Sequence, residues 1–392
     1  MTQAASPRVA HIGFFNDPAR RTPQELLRAW PTLVDVAEAA SGAGVRVSVV
    51  QACAHREELT QNGVRYHFLP FGVEARHGGM APLATLVRAH AVEMLHVHGL
   101  GFCREVLALA TLVPELPLVL QDHASIPPPV WRRAPWRRAF ALARGIAFCA
   151  AAQATPFVRA GLLGARTRIY AIPESTSRFS PGDTAQARRD TGIEGEPALL
   201  WVGHLDPNKD PLTVLDGASA AAATLPGLRL SCCFGVAPLR NQVERRVAGD
   251  ARLRERVRLL GHVTHGQVER LMRAADLFVL GSHREGSGYA LIEALACGLP
   301  PVVTDIPSFR ALTGAGAVGR LWPCGDALAL GAALAAAARQ TGREARSAVR
   351  AHFERELSFV ALGGKLAAMY ESALAGTRRA APEPLPLHGA LS

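Results

Sequence analysis

Glu285 and Glu293 stand eight positions apart in the run Glu285-Gly286-Ser287-Gly288-Tyr289-Ala290-Leu291-Ile292-Glu293. The residues from Tyr289 to Cys297 are good helix formers, and Gly298, Leu299 and Pro300 end the pattern. The preceding LFVLGSHREGSG reads as a strand running into a glycine-rich loop. Strand, loop and helix N-terminus in that order hold an anion well, because free backbone amides and the helix dipole point at it. Gly286 and Gly288 let the backbone approach a ligand closely, and their amides suit a diphosphate. Carboxylates would repel a diphosphate, so Glu285 and Glu293 must point elsewhere. Sugar and ribose hydroxyls are natural partners, since a carboxylate accepts paired hydrogen bonds. By itself the loop fits equally well a solvated Glu293 and glycines that only turn the chain.

Positioning these groups requires an α/β framework, and the chain supplies one. Short β-branched runs fall near Val9–Phe15, Val45–Gln51, Met94–His98, Pro117–Gln121, Ile146–Ala150 and Arg168–Ile172. A second series follows near Ala198–Val202, Leu228–Phe234, Val257–Leu260, Leu277–Leu280 and Pro301–Thr304. Strands alternating with helical segments predict parallel sheets with helices on both faces. Between the series lies a polar, Pro/Gly-dotted stretch containing SRFSPGDTAQARRD. The expected organisation is a first domain over 1–172, a connection over 173–196 and a second domain over 197–350. A last helix over 351–376 and a Pro-rich, poorly ordered tail over 377–392 complete it. The 392 residues suit two such domains.

The second half opens with LLWVGHLDPNKDPLTVLDGAS and continues with VRLLGHVTHGQVERLMRAADLFVLGSHREGSGYALIEALACGLPPVVTDIPSFRAL. Along about 198–312 the order, spacing and character of these segments resemble the group 1 (family 4) GT-B glycosyltransferases. The E-x7-E pair is that family's signature. The resemblance implies two facing Rossmann-like domains with parallel sheets. The first would bind the acceptor and the second a nucleotide-diphosphate sugar, with the last helix returning toward the first domain. It also implies roles. Glu285 would contact the donor sugar hydroxyls and Glu293 the ribose. Backbone at Gly286, Ser287, Gly288 and Tyr289 would face sugar and diphosphate. Lys209, at the end of the segment from Gly203, would neutralise the diphosphate and assist its departure. Gly261, His262 and Val263 would lie beside the base. His123 resembles the acceptor-side histidine near the reacting centre. His98 ends another strand, and strand C-termini are where open α/β sheets place ligands. Hydrogen-bonded structural histidines are the plainer reading of both.

The chain departs from the family's pattern at three places. His204 stands where arginine is usual, and histidine carries that charge only when protonated. Ser287 stands where a bulky apolar residue is usual. In place of the glycine-rich acceptor loop the chain reads Asn16-Asp17-Pro18-Ala19-Arg20-Arg21, which leaves Asn16 on the acceptor side and acceptor identity open.

Bulk properties narrow the remaining classes. The net charge is +10, carried almost wholly by arginine, with Lys209 and Lys365 the two lysines. That balance suits a phosphate-bearing or acidic partner, and no zinc-finger or RNP pattern supports nucleic acid. Seven scattered cysteines fit buried free thiols in a reducing cytosol rather than a zinc site or disulfide frame. Neither a signal layout nor a clean membrane span is present in the sequence, so a cytoplasmic location is expected. Trp131-Arg132-Arg133-Ala134-Pro135-Trp136-Arg137-Arg138 reads either as a solvated basic face or as an anchoring patch for anionic lipid head groups, at the inner membrane face, or for an acidic glycan. The absence of Asp-x-Asp agrees with metal-independent chemistry. The expected function is retaining transfer of a hexosyl group from a UDP-, GDP- or ADP-linked sugar to a hydroxyl of a sugar, lipid or small molecule. No cofactor is expected beyond that co-substrate. The alternatives are an epimerase acting on nucleotide sugars and a non-catalytic nucleotide-sugar-binding relative.

Overall fold

The computed structural model describes residues 6–73, 79–164 and 167–375. The expected tail at 377–392 lies outside them. The chain divides into two compact units, one running to Glu174 and resuming at Leu362, the other spanning Ser175–Ala361.

In the first unit an eight-stranded sheet has the order β3-β4-β2-β1-β5-β6-β7-β8. Its strands are β1 (Arg8–Gly13), β2 (Arg46–Ala52), β3 (Glu57–Gln61), β4 (Val64–Leu69), β5 (Met94–His98), β6 (Leu118–Gln121), β7 (Ala143–Phe148) and β8 (Ile169–Ala171). All neighbours pair in parallel except β3 with β4. That hairpin was missed by the strand reading, although Asn62-Gly63 is a hairpin signal. Both residues take positive φ, 49° and 79°, as a tight two-residue turn between twisted strands requires. From β1 the chain proceeds outward in one direction through β2 and β4, and from β5 in the other. The switch therefore falls between β1 and β5.

The second unit contains a six-stranded parallel sheet of order β11-β10-β9-β12-β13-β14. Its strands are β9 (Ala198–Gly203), β10 (Arg229–Phe234), β11 (Val257–Gly261), β12 (Leu277–Leu280), β13 (Pro301–Thr304) and β14 (Arg320–Trp322). Leu277-Phe278-Val279-Leu280 is buried throughout, the mark of a strand covered on both faces. Here the switch falls between β9 and β12. β14 was also missed.

Two boundaries differ from expectation. The stretch 173–196 is more than a connection. Thr184–Thr191 is a helix capped by Asp183, and Arg188 anchors it to Asp276 (2.7 Å) and to the Ala274 carbonyl (3.0 Å). The expected helix over 351–376 is two helices, Arg343–Glu356 and Phe359–Ala375. From Leu362 the latter belongs to the first unit, where Gly363 lies against the Ala39 backbone. Cysteine usage needs one correction. All seven thiols are free, but Cys324 is exposed while the other six are buried. Among the described residues no helix is long and apolar enough to cross a membrane.

Candidate functional site

The loops after β9 and β12 flank the switch of the second sheet, where α/β sheets open a crevice. They are tied to each other by backbone and side chain. His283 N donates to the Asn208 carbonyl (2.8 Å), and Asn208 Nδ2 donates to the Arg284 carbonyl (2.9 Å). His283 Nε2 meets Asp210 Oδ2 at 3.0 Å, and Asp210 Oδ1 caps the helix Pro211–Ala221. Lys209 N donates to Asp206 Oδ1 at 2.9 Å. This bracing carries Lys209 to Glu285, 76 residues later, with which its ammonium forms a partly buried ion pair.

Glu285 leads into Gly286, Ser287 and Gly288, and then the helix Tyr289–Ala296. Gly288 is required twice over. Its φ is +60°, and a Cβ there would meet Leu312 Cδ1 at 2.9 Å and the Phe309 ring at 3.0 Å. The loop amides and the helix N-terminus thus sit beside the Lys209–Glu285 pair. Glu293 follows on the same helix, 3% exposed and bonded to His265 Nε2. Burial pushes its carboxyl up, against the opposing hydrogen bond and charge of His265. Sequence reading missed His265. Its ring lies 4.6 Å from Phe179 and stacks 6.3 Å from Tyr289. The available signal was the capping box of Thr264 and Gln267, which starts a helix at that residue.

His204 and His262 are exposed at the ends of β9 and β11, beside Gly203, Gly261 and Val263. A Cβ on Gly235 would lie 3.9 Å from both imidazoles, so both rings border the residue that follows β10. His204 Nδ1 accepts from Val236 N at 3.3 Å. The residues expected on the donor side all lie in the second unit.

In the first unit His98 Nδ1 and His123 Nε2 are 3.1 Å apart. His123 Nδ1 donates to Glu174 Oε2 at 2.8 Å. Burial lowers His123, but the hydrogen bond and charge of Glu174, with Asp122, outweigh it and leave the imidazole above its usual range. His98 is held well below that range by burial and then by His96 and His123. Behind them a second chain is fixed by its acceptor. Gln121 Oε1 takes the His96 Nε2 proton (3.1 Å), so His96 Nδ1 accepts from the Tyr370 hydroxyl (2.8 Å). The Tyr370 oxygen then accepts from His11 Nε2 (2.8 Å). Burial holds both imidazoles well below their usual range. His11, His96 and His98 place ligand atoms within 4.8 Å of one another, near enough for a shared cation. The Tyr370 and Gln121 bonds already occupy His11 Nε2 and both nitrogens of His96. Asn16 follows β1 half-buried and does not line the neighbouring pocket, which Phe14, Phe15, His98 and His123 do.

The two parallel-dominated sheets, with the solved structures they match, give this chain the GT-B fold. Two solved structures share it across nearly the whole length. Sucrose-phosphate synthase from Thermosynechococcus elongatus matches with TM-score 0.68 and 19% identity over 94% of this chain and 100% of that one. Anabaena HepE in complex with UDP and glucose matches with TM-score 0.65 and 20% identity over 93% and 100%. Residues 183–351, within the second unit, match the family described as "Glycosyl transferases group 1". A D-inositol 3-phosphate glycosyltransferase from Nocardia farcinica is 30% identical over 164 residues, 40% of this chain. The chain spans 36% of that relative's length.

Proposed function

We propose that this chain transfers a hexosyl group from a nucleotide-diphosphate sugar to an acceptor hydroxyl with retention. The observation that carries the reading is the Lys209–Glu285 pair beside the Tyr289–Ala296 helix N-terminus at the second sheet's switch, with Glu293 buried on that helix. In this reading the C1–O bond to the diphosphate breaks while the acceptor oxygen bonds C1 on the same face. The acceptor proton passes to the departing diphosphate. Lys209 and the amides of residues 286–289 stabilise the charge that develops there. Glu285 takes donor sugar hydroxyls and Glu293 the ribose. On the acceptor side His98 and His123 orient the incoming hydroxyl. The complex of HepE with UDP and glucose makes a uridine donor the first to try. The epimerase alternative is not favoured, because the similar proteins are named as transferases and synthases. The deciding experiment is product analysis with UDP-, GDP- and ADP-sugars, with and without an acceptor panel. Epimerised donor in the absence of acceptor would overturn the transfer reading. A thermal-shift screen ranks the bases beforehand, since a ligand at 100 times its Kd stabilises by about 2.7 kcal/mol.

Metal independence is the expectation for the diphosphate chemistry, because Lys209 stands where a cation is needed and the sequence lacks Asp-x-Asp. Turnover in EDTA should be unchanged by added Mg2+ or Mn2+, to within about twofold. An activity that appears only with the added ion would contradict this.

A peripheral membrane contact is proposed for the basic run, with its tryptophans divided between two roles. Trp136 packs on Phe140 and Phe157, at 5.5 and 6.2 Å, and belongs to the core. Trp131 is 83% exposed, with Ile126 and Val130 exposed nearby. Arg133 and Arg137 bond the Pro128, Ala160 and Gly161 carbonyls, which leaves exposed Arg132 and Arg138 as the lipid-facing cations. Co-sedimentation with anionic vesicles should exceed that with neutral ones and weaken as salt shortens the screening length to about 8 Å. Trp131→Ala should reduce it. Equal binding to both vesicle types would leave only a solvated face.

A further inference from the structure

The first sheet has its own crevice, at the switch between β1 and β5. It encloses about 420 Å³. Its sides are aromatic. Phe15 and Trp30 lie 5.7 Å apart at 55°, and Phe14 and Phe102 lie 5.7 Å apart at 48°. Its polar end holds His98, His123 and Glu174. Gln51 contributes an acceptor. Its Nε2 donates to the Phe15 and Ala52 carbonyls at 2.7 and 3.0 Å. That turns Oε1 over Gly13, where a Cβ would lie only 2.0 Å from it. Glycine at 13 is therefore what admits the Gln51 amide to the end of β1.

The charges of this lining decide what it can hold. Among the described residues it contains no arginine and no lysine. Its one carboxylate, Glu174, is buried and bonded to His123, and burial disfavours a charge on His98. Any positive charge on His123 is matched by Glu174. A phosphate monoester entering here would lose its hydration, meet no unmatched cation and approach a carboxylate. An uncharged ligand meets the opposite conditions. Aromatic rings cover the apolar face of a sugar or aryl group, and Gln51 Oε1 accepts from a hydroxyl.

We propose that this pocket receives an uncharged hydroxyl acceptor with a flat apolar face, and that it discriminates against phosphorylated sugars. The inference rests on the transfer reading for the word acceptor, while the binding preference stands on the pocket alone. Calorimetry and saturation-transfer NMR on the full chain, without donor, compare phenyl β-D-glucopyranoside with glucose 6-phosphate. The glucoside should bind at least tenfold more tightly, with its aryl protons receiving the stronger transfer. Trp30→Ala should weaken the glucoside at least fivefold while leaving UDP affinity unchanged, which shows that the variant is folded. Thr32→Arg, which adds a cation to the lining, should strengthen glucose 6-phosphate at least tenfold. Equal or tighter binding of glucose 6-phosphate by the unaltered chain overturns the proposal, and so does failure of both probes to bind at about 10 mM. Nucleotide-sugar binding without glucoside binding sinks this inference alone. Glucoside binding with no donor turnover against any acceptor sinks the transfer reading and leaves the pocket.

Discussion

Lys209→Ala is expected to lower kcat about 10²–10³-fold, the usual cost of removing one group that stabilises charge in the transition state. The variant has a second consequence. Glu285 would lose the ammonium that pairs with it and would stand as a carboxylate beside the departing diphosphate. Part of the loss is therefore repulsion created by the substitution rather than stabilisation removed. The double variant Lys209→Ala/Glu285→Gln separates the two. If repulsion contributes, the double variant recovers donor affinity relative to Lys209→Ala while kcat stays low, since no cation is restored. Lys209→Arg should retain more activity than alanine, because the charge is kept although the ammonium's compact shape is not. The measurements are steady-state kcat and KM at saturating acceptor, with circular dichroism to confirm folding. A kcat within threefold of the unaltered chain would remove Lys209 from the reaction.

Glu293→Ala is expected to weaken nucleotide binding by about 1.5–3 kcal/mol, the range for hydrogen bonds to a charged group, or roughly 10- to 150-fold in Kd. The helix should survive, since alanine is its best former, and His265, partly exposed, can turn to solvent. A pH dependence of stability accompanies it. Burial raises the Glu293 carboxyl in the folded chain. Such a group favours folding most at low pH, and that advantage is lost as pH rises from the unfolded carboxyl value through the raised folded one. The stability of Glu293→Ala relative to the unaltered chain should therefore rise across the acid range and level off above it, as read from urea midpoints. Unchanged UDP affinity by calorimetry would take Glu293 out of the site.

How much of this was legible depends on the range of each interaction. The second unit's strand, glycine loop and helix are contiguous, so Glu285, Gly286, Gly288 and Glu293 could be placed from local pattern alone. The alternation of apolar runs with helical segments likewise reported two parallel sheets, because strand burial and helix periodicity are written in neighbouring residues. The Asn62-Gly63 hairpin was equally local and was passed over.

Partnership across the sheets was not legible. Lys209 reaches Glu285 over 76 residues because β9 and β12 are neighbours at the sheet's switch. His265 reaches Glu293 over 28 residues, and Glu174 reaches His123 over 51. Tyr370 joins His11 and His96 across 359 and 274 residues. The sequence by itself determined which residue types stood at strand ends and helix starts. Tertiary structure alone decided which of them met, which were buried and which kept a proton. Side-chain chemistry and local periodicity are properties of a short segment, whereas desolvation and hydrogen-bond partnership exist only once distant strands are brought side by side.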